Sequence, residues 1–550
     1  MSKTVIMFFF FICTVVACVP VQTGNNRFNV IPKPAKLETR QGQFVFNVNT
    51  RIIIPDGEKD MCNAALVLQE LFLASSGMNI QMVDNSNGKV KQGNNMVFCT
   101  LTSSMTNKEA YRLTIEKHCI KIEAGASAGI FYAMQTIRQL LPPEIERTTA
   151  TGGVVWAVPC AVIEDEPRYP YRGTCLDVVR HFSEIPALKR HIDQLALHKI
   201  NRLHLHLTDD QGWRVEIKKH PDFTNIGAWR TGTYNEETRK YIDGRYGGYY
   251  TQDEIRELVA YAQMKFITII PEIEMPGHSS AAVGSYPELS CSGEPWTVSG
   301  WWSGRAFCPG KESTFEIFEG VLAEVMELFP GEYIHIGGDE CNKRAWETCP
   351  YCLARLKELG LTSVHHGLQS YFIRRIEKFV NSKGKNIIGW DEILEGGLAP
   401  NAVVMSWRGT SGGIESAKQG HDVIMTPVEY CYLNFYQSLD FAQEPFAWGN
   451  GKGETDAVLM KTVYDYDPTP KELTATEAKH ILGAQCNLWR ECIYTDEHLE
   501  YMMFPRLAAM SEVLWTPLSE KNYENYLLRL PDILRRYDVM NINYSRSCLR

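Results

Sequence analysis

Two adjacent carboxylates, Asp339 and Glu340, end the run His335–Glu340, which also contains two consecutive glycines. The apolar residues of Tyr333–Ile336 predict a buried strand in front of the pair. In a regular strand adjacent side chains point to opposite faces, so both carboxylates reach one cavity only if the strand ends or bends there, as the glycines permit. An acid beside a charge-stabilising carboxylate is typical of sites that cleave glycosidic bonds. The alternative is a strand end followed by a helix N-terminus, where acidic residues are stabilised by the helix dipole.

A second run of polar groups, His204–Trp213, raises the question of a metal site. His204 and His206 are two residues apart and would share one face of a strand, so they could bind a metal together with Asp209. The alternative is a buried hydrogen-bonded network, because an enzyme that cleaves sugars needs no metal and buried imidazoles and carboxylates must satisfy one another. The run Pro271–His278 has the same character. We predict no metal and no other cofactor.

The segments that would position these groups alternate between short apolar runs and longer amphipathic ones over residues 168–550. Eight strand–helix units, followed by a carboxy-terminal helical extension, predict a (β/α)8 barrel with its chemistry at the carboxyl ends of the strands. A doubly wound open sheet is the alternative, but no glycine-rich phosphate loop follows the first strand. The predicted strands are Tyr171–Val178, Asn201–Leu207, Phe266–Ile273, Tyr333–Gly337, Asn386–Trp390, Ala402–Trp407, Asp422–Thr426 and Ile481–Gln485.

Residues 28–165 have the pattern of a smaller α/β domain. Strands are predicted at Phe44–Val48 and Arg51–Ile54, and helices at Asn63–Ala74 and Ala126–Leu141. A second domain is expected because 550 residues exceed one compact core of ordinary size. No group of catalytic residue types stands out here, so we expect a supporting domain.

The first 18 residues predict a signal peptide. Lys3 supplies the positive start and Val5–Ala17 the apolar run, which is too short for a membrane span. The segment Val15–Cys18 resembles a bacterial lipoprotein cleavage box, so we expect export to the periplasm or cell surface with a lipid on Cys18, or simple secretion as the alternative. The net charge of −9 argues against nucleic-acid binding and against electrostatic adhesion to anionic lipid. The only predicted membrane contact is therefore the lipid.

The chain has 16 cysteines, several of them in one region. Cys291 and Cys308 bracket a loop rich in Gly, Ser and Trp and are our best candidates for a disulfide bond. Cys349 and Cys352 form a dithiol motif, but no strand precedes it as a redox fold would require. Cys341 lies nearby, so a three-thiol metal cluster is conceivable, although a fourth ligand is not evident. Structural or incidental thiols are the favoured interpretation.

Ten short segments, taken together, resemble family 20 of the glycoside hydrolases, the β-N-acetylhexosaminidases. They follow one another in order along the predicted barrel, and residues 28–165 resemble the amino-terminal domain of that family. The segments are Tyr171–Gly173, Leu176–Asp177, Arg180–His181, His204–Trp213, Pro271–His278, Gly337–Glu340, Trp390–Glu392, Ser406–Trp407, Tyr432–Asn434 and Leu488–Glu491.

The resemblance implies an exo-acting enzyme that releases terminal GlcNAc or GalNAc from glycans without an enzyme nucleophile. The carbonyl oxygen of the substrate's own 2-acetamido group would attack the anomeric carbon and form an oxazolinium ion. Glu340 would protonate the leaving oxygen and later deprotonate water, while Asp339 would orient the acetamido N–H and stabilise the developing positive charge. These roles need different protonation states, so the surroundings must separate the two pKa values.

The resemblance also implies nine further site residues, and it shows two departures from the family pattern. Asn434 stands where Asp is usual, which removes a negative charge and keeps a sulfated sugar or a disaccharide unit open as substrate. Glu274 also stands where Asp is usual and is expected to repack locally without touching the catalytic pair. The nine implied residues are Arg172 and Glu491 on sugar hydroxyls, Trp390, Trp407 and Trp489 as pocket walls, Tyr432 as donor to the acetamido oxygen, Asp209 and His278 behind Glu340, and Asn434.

Two functions of other classes stand beside the hydrolase. One is a catalytically silent glycan-binding lipoprotein, although binding alone would not require Asp339, Glu340 and Tyr432. The other is a thiol redox protein built on Cys349 and Cys352. The sequence gives no prediction of the oligomeric state.

Overall fold

The computed structural model describes residues 28–449, 451 and 453–547. The predicted signal segment, residues 1–18 with Cys18, lies outside this range. Among the residues described, no helix combines the length and the apolar character that crossing a membrane requires.

The amino-terminal domain is built on one mixed seven-stranded sheet, in the order β1-β7-β5-β6-β4-β2-β3. Strands β2, β3, β4 and β6 run parallel, and β1, β7 and β5 pair antiparallel. Two helices cover the sheet with their buried apolar faces. The elements are β1 (Lys36–Val45), β2 (Arg51–Ile54), α1 (Lys59–Ser76), β3 (Gln81–Asp84), β4 (Met96–Leu101), β5 (Tyr111–Ile115), β6 (Cys119–Ala124), α2 (Ser127–Leu140) and β7 (Ala157–Asp165).

The second part of the chain alternates strands and helices. Its strands are β8 (Tyr171–Asp177), β9 (Arg202–His206), β10 (Thr208–Asp209), β11 (Gly212–Trp213), β12 (Trp229–Asn235), β13 (Lys240–Gly247), β14 (Thr268–Glu272), β15 (Tyr333–His335), β16 (Asn386–Trp390), β17 (Val403–Ser406), β18 (Val423–Met425) and β19 (Ile481–Leu488). Its helices are α3 (Ile185–Leu197), α4 (Asp222–Asn225), α5 (Gln252–Met264), α6 (Ser280–Ser285), α7 (Glu312–Leu328), α8 (Pro350–Glu358), α9 (Val364–Ser382), α10 (Ser411–Lys418), α11 (Val428–Cys431), α12 (Met460–Asp465), α13 (Asp496–Met503), α14 (Arg506–Trp515) and α15 (Tyr523–Val539).

Eight of these strands close a parallel barrel in the order β8-β9-β14-β15-β16-β17-β18-β19. Seven of the eight predicted strand segments contain one whole barrel strand, and the eighth, Ile481–Gln485, covers the first five residues of β19. The predicted (β/α)8 fold is therefore confirmed. The strands are short and almost entirely buried, as expected where helices cover the outside and side chains fill the inside. Strands β10 to β13 belong to loops at the carboxyl ends of β9 and its neighbours.

Arg172 lies at the contact between the two domains. Its side chain is fully buried, and its Nη1 and Nη2 lie 2.9 Å from the two carboxylate oxygens of Glu109. Nη2 also donates to the hydroxyl of Tyr132 over 3.0 Å. Because Arg172 is the second residue of β8, it occupies the amino end of a barrel strand, opposite the end where the other predicted groups lie. This corrects the expectation that Arg172 binds sugar hydroxyls.

The backbone turns sharply where β15 ends, at His335, just before the two carboxylates. Gly337, Gly338 and Glu340 have positive φ values of 68°, 102° and 44°. A Cβ atom at Gly337 would collide with the carboxylate of Glu274, so glycine is required there for both conformation and space. The prediction that the strand ends before Asp339 is therefore confirmed, and both carboxylates face the barrel mouth.

Candidate active site

A cavity of about 290 Å³ opens at the carboxyl ends of the barrel strands. Ten of the eleven predicted site residues line it, and Arg172 is the exception. The ten are Asp209, His278, Asp339, Glu340, Trp390, Trp407, Tyr432, Asn434, Trp489 and Glu491.

The two carboxylates share one imidazole. His278 Nε2 lies 3.4 Å from Asp339 Oδ2 and 3.5 Å from Glu340 Oε2, and His278 Nδ1 lies 3.0 Å from Asp209 Oδ1. Although burial opposes a charge on His278, the carboxylates of Asp209 and Asp339 raise the pKa of its imidazole well above the usual range. The hydrogen bond from His278 in turn lowers the pKa of Glu340. Asp209 thus holds His278 against the pair, and its own charge also acts on Glu340, where it opposes ionisation.

Beneath this pair, three histidines surround one buried carboxylate. His204 Nε2 and His335 Nδ1 lie 3.2 and 2.8 Å from oxygens of Glu272, and His206 Nδ1 contacts the same group. Burial raises the pKa of Glu272, but the three imidazoles outweigh it and hold the pKa well below the usual range. Glu272 also accepts from the indole Nε1 of Trp390 over 2.9 Å. These contacts place both His204 and His206 in a buried network around Glu272, the second of the two interpretations of the His204–Trp213 run.

Arg180 is a site residue that was not assigned a role from the sequence. It follows β8 at the carboxyl end, and its Nη2 lies 2.7 Å from Asp209 Oδ2. Its Nη1 lies 3.1 Å from Asp177 Oδ2 and 3.7 Å from Glu491 Oε1. The guanidinium lines the cavity, where its donors suit sugar hydroxyls. The Arg180–His181 segment was one of the ten segments that carry the family resemblance. Its position after the carboxyl end of the predicted strand could have indicated that Arg180, and not Arg172, lies in the site.

Four of the aromatic rings that line the cavity lie in two pairs. The rings of Trp407 and Tyr432 are roughly parallel with centroids 6.3 Å apart, and those of Trp390 and Trp489 lie 5.8 Å apart. Trp407 is held by its Nε1, which donates to Glu392 Oε2 over 2.9 Å. Indole faces fixed in this way offer flat apolar surfaces for a sugar ring and for the methyl group of an acetamido substituent.

Five buried oxygens of cavity-lining residues lack hydrogen-bond partners among the residues that the structure describes. Two are the carboxyl oxygens of Glu274, and the other three are Asp339 Oδ1, Asn434 Oδ1 and Glu491 Oε2. A buried acceptor without a donor is costly, so a ligand that brings N–H and O–H groups to these places gains free energy. An N-acetylated sugar carries one amide N–H and several hydroxyls, which are donors of the kind that such oxygens accept.

Glu274 and Glu392 add carboxyl groups next to Asp339. Burial, reinforced by the charge of Asp339, raises the pKa of Glu274 well above its usual range and that of Glu392 to about 8. The surroundings of both groups thus favour the neutral acid over the carboxylate. Glu274 lines the cavity together with the catalytic pair, so its effect on Asp339 is electrostatic; no hydrogen bond between the two is found among the described residues.

A second cavity, of about 500 Å³, adjoins the first on the solvent side. Its walls include Tyr234, Trp301, Trp302 and Trp448. Glu340 lines both cavities, whereas Asp339 lines only the inner one. Trp301 and Trp302 belong to the loop between Cys291 and Cys308, and no site role was predicted for them. The high Trp content of this loop was the sequence feature that could have indicated such a role.

Family models match nearly all of the described chain. The model for "Glycosyl hydrolase family 20, catalytic domain" matches residues 169–518, and the model for "Glycosyl hydrolase family 20, domain 2" matches residues 27–166. Both matches agree with the resemblance drawn from the ten sequence segments, which is confirmed.

Several characterised proteins are similar over most of this chain. A β-hexosaminidase of Porphyromonas gingivalis is 42% identical over 96% of this chain, which spans 65% of that protein's length. A β-N-acetylhexosaminidase of Cellulomonas fimi is 30% identical over 94% of this chain and 96% of its own. The crystal structure of an exo β-N-acetylglucosaminidase from Vibrio harveyi, in complex with N-acetylglucosamine, matches with a TM-score of 0.82 and 32% identity, over 94% of this chain and 78% of that one.

Proposed function

Since this chain belongs to glycoside hydrolase family 20, we propose that it is an exo-acting β-N-acetylhexosaminidase that removes terminal GlcNAc or GalNAc from glycans. The substrate partner is a glycan with a terminal N-acetylhexosamine. The inner cavity, at about 290 Å³, suits one sugar ring rather than a chain passing through, which supports exo action.

The position of Glu340 carries the proposal. Because Glu340 lines both cavities and Asp339 only the inner one, a bond that joins a sugar inside to a sugar outside passes beside Glu340. An acid at that place reaches the glycosidic oxygen, and a carboxylate one residue earlier reaches the ring's substituents. The two adjacent residues therefore act on different parts of one sugar, not on opposite faces of one bond.

In the first step, the acetamido carbonyl oxygen forms a bond to the anomeric carbon as the bond to the leaving oxygen breaks. Glu340 gives its proton to that oxygen, and Asp339 accepts the acetamido N–H at its free Oδ1 and offsets the positive charge of the oxazolinium ion. Tyr432, close to Asp339 and Trp489, donates its O–H to the carbonyl oxygen and aims it. In the second step, Glu340 takes a proton from water as the water oxygen bonds to the anomeric carbon. The bond from that carbon to the acetamido oxygen breaks, which restores the acetamido group and gives net retention.

Glu340 must be protonated when substrate is bound. The side chain of Glu340 is 53% exposed, and the hydrogen bond from His278 lowers its pKa. A glycan in the outer cavity displaces water from Glu340, and loss of solvation favours the neutral acid. Substrate binding thus moves Glu340 toward the protonation state that its first step needs.

Release of nitrophenol from four aryl β-glycosides tests the proposal. The sugars are GlcNAc, GalNAc, 6-sulfo-GlcNAc and glucose. We expect cleavage of the N-acetylated sugars and none of glucose, because glucose lacks the internal nucleophile. The order of the three amino sugars reports how Asn434 shapes the hydroxyl end of the cavity.

Glucose also serves as the control, since its leaving group and ring match those of the GlcNAc compound. Cleavage of glucose at a comparable rate would require a nucleophile from the enzyme and would overturn the mechanism. Absence of cleavage of all four compounds would contradict the exo-hexosaminidase activity itself.

For its location, we propose that the protein is exported and that a lipid on Cys18 anchors it to a membrane at the periplasm or cell surface. The support comes from the sequence of residues 1–18, with Lys3, the apolar run Val5–Ala17 and the small residue before Cys18.

Replacement of Cys18 tests the anchor. In wild type we expect the protein in the membrane fraction with a mass increased by acyl chains, and in Cys18→Ser we expect neither. Cys62→Ser, a thiol change in the amino-terminal domain, is the matched control and should keep both properties. Unchanged membrane association and mass in Cys18→Ser would exclude lipidation at this residue.

A further inference from the structure

Four cysteines from two loops meet in one cluster beside the active site. Cys308 Sγ lies 3.5 Å from Cys352 Sγ and 3.7 Å from Cys349 Sγ, and Cys291 Sγ lies 3.7 Å from Cys352 Sγ. All four sulfurs lie within 4.8 Å of one another. The structure shows no disulfide bond between Cys291 and Cys308, contrary to the expected pairing. Cys341, considered from the sequence as a cluster member, is not part of this group.

The sulfur spacing is that of a tetrahedron around a single ion. Zn–S bonds of about 2.3 Å place the four sulfurs of a tetrahedral site about 3.8 Å apart, close to the three shortest separations here. A disulfide would bring one pair to about 2.05 Å. Cys308 instead lies almost equally far from two partners, so the geometry selects no pair. From these distances we propose that Cys291, Cys308, Cys349 and Cys352 bind one structural zinc ion.

The surroundings suit a closed metal site. Cys308, Cys349 and Cys352 are buried, with Ala306, Trp346 and Leu368 packed around them. Thiolates fill all four positions, which leaves no open position for substrate or water and makes the site structural. A set of four sulfur ligands also selects zinc or iron over harder cations.

The backbone near the cluster is shaped to bring the sulfurs together. Cys349 precedes the first turn of α8 and Cys352 lies within it, so both thiolates face the positive end of a helix. Gly310, two residues after Cys308, approaches the backbone of Tyr351 and Cys352 so closely that a Cβ atom would collide with it. The segments around Cys308 and Cys352 are therefore in direct contact along their backbones.

The proposed ion joins two loops that form the active site. One follows β14, contains Cys291 and Cys308, and carries Trp301 and Trp302 of the outer cavity. The other follows β15 and runs from Glu340 to Cys349. Zinc would fix the outer-cavity walls relative to the general acid. The inference goes beyond the proposed hydrolase function and does not depend on it, because metal content is measured without substrate.

Metal analysis of the full-length protein, purified without chelators, tests the proposal. We expect about one zinc per chain in wild type and in the control Cys341→Ser, whose thiol lies beside the cluster but outside it. We expect zinc to fall to background in the double variant Cys349→Ser/Cys352→Ser. Iron in place of zinc, or an equal zinc content in the double variant, would overturn the assignment.

A measurement on the wild type alone covers the case in which the double variant fails to fold. The protein is denatured with a thiol-alkylating reagent, with and without a zinc chelator and in the absence of reductant. We expect all four cysteines to be alkylated once the chelator is present. Four unreactive cysteines together with no bound metal would mean two disulfides, and four reactive cysteines with no bound metal would mean an empty cluster; either result overturns the proposal.

Discussion

Asp339→Asn is expected to lower kcat on GlcNAc aryl glycosides by on the order of 10²-fold or more. The amide keeps the size of the side chain and one acceptor oxygen but removes the negative charge. That charge is most valuable when the oxazolinium ion forms, so the loss falls on the transition state and KM should change little. The side chain of Asp339 is only 14% exposed, so water cannot replace the lost charge effectively.

Steady-state kinetics on a pair of substrates separates this role from a structural one. The loss in Asp339→Asn should be similar for good and poor leaving groups, because Asp339 acts on the acetamido group and not on the leaving oxygen. Asp253→Asn makes the same chemical change on α5, at a side chain that is 91% exposed, and should leave kcat unchanged. Near-normal kcat in Asp339→Asn would contradict its assigned role.

The barrel could be predicted from the local pattern of the sequence, and most of its site from the resemblance to family 20. Barrel strands are short apolar runs, and the residues that follow them gather at one rim whatever the lengths of the helices between. Asp339, Trp390, Trp407 and Trp489 all lie at or after a strand's carboxyl end. Their convergence in one cavity therefore follows from the fold class alone.

The wrong predictions concern side chains whose location depends on one of two things. These are the position of the residue within its strand and the contact between segments that are distant in the sequence. Arg172 was placed in the site by family resemblance, although its position at the start of β8 puts it against Glu109 in the other domain. Arg180, eight residues later, lies at the correct end. The four-thiol cluster depends on two loops meeting in space, and no spacing within either loop reveals that Cys291 and Cys308 face Cys349 and Cys352.

Glu340→Gln should show a loss that depends on the leaving group. A glutamine cannot give a proton, so substrates with a poor leaving oxygen, such as a second sugar, should lose on the order of 10²-fold or more in kcat/KM. Nitrophenyl glycosides, whose leaving oxygen needs less protonation, should lose clearly less in the step that forms the oxazolinium ion. Measuring kcat/KM for both substrates on wild type and Glu340→Gln gives the loss for each substrate. An equal loss for both would contradict the general-acid role.

The pH dependence of kcat/KM adds a directional check on the same residue. The alkaline limb reports loss of the proton from Glu340 in the free enzyme. The hydrogen bond from His278 stabilises the ionised carboxylate and lowers the pKa of Glu340, so its removal in His278→Phe should raise that pKa. Glu340 would then keep its proton to higher pH, and the alkaline limb should move upward even though the maximal rate falls. A limb that stays in place in His278→Phe, or that persists unchanged in Glu340→Gln, would mean that another group titrates there and that the proton of the first step comes from elsewhere.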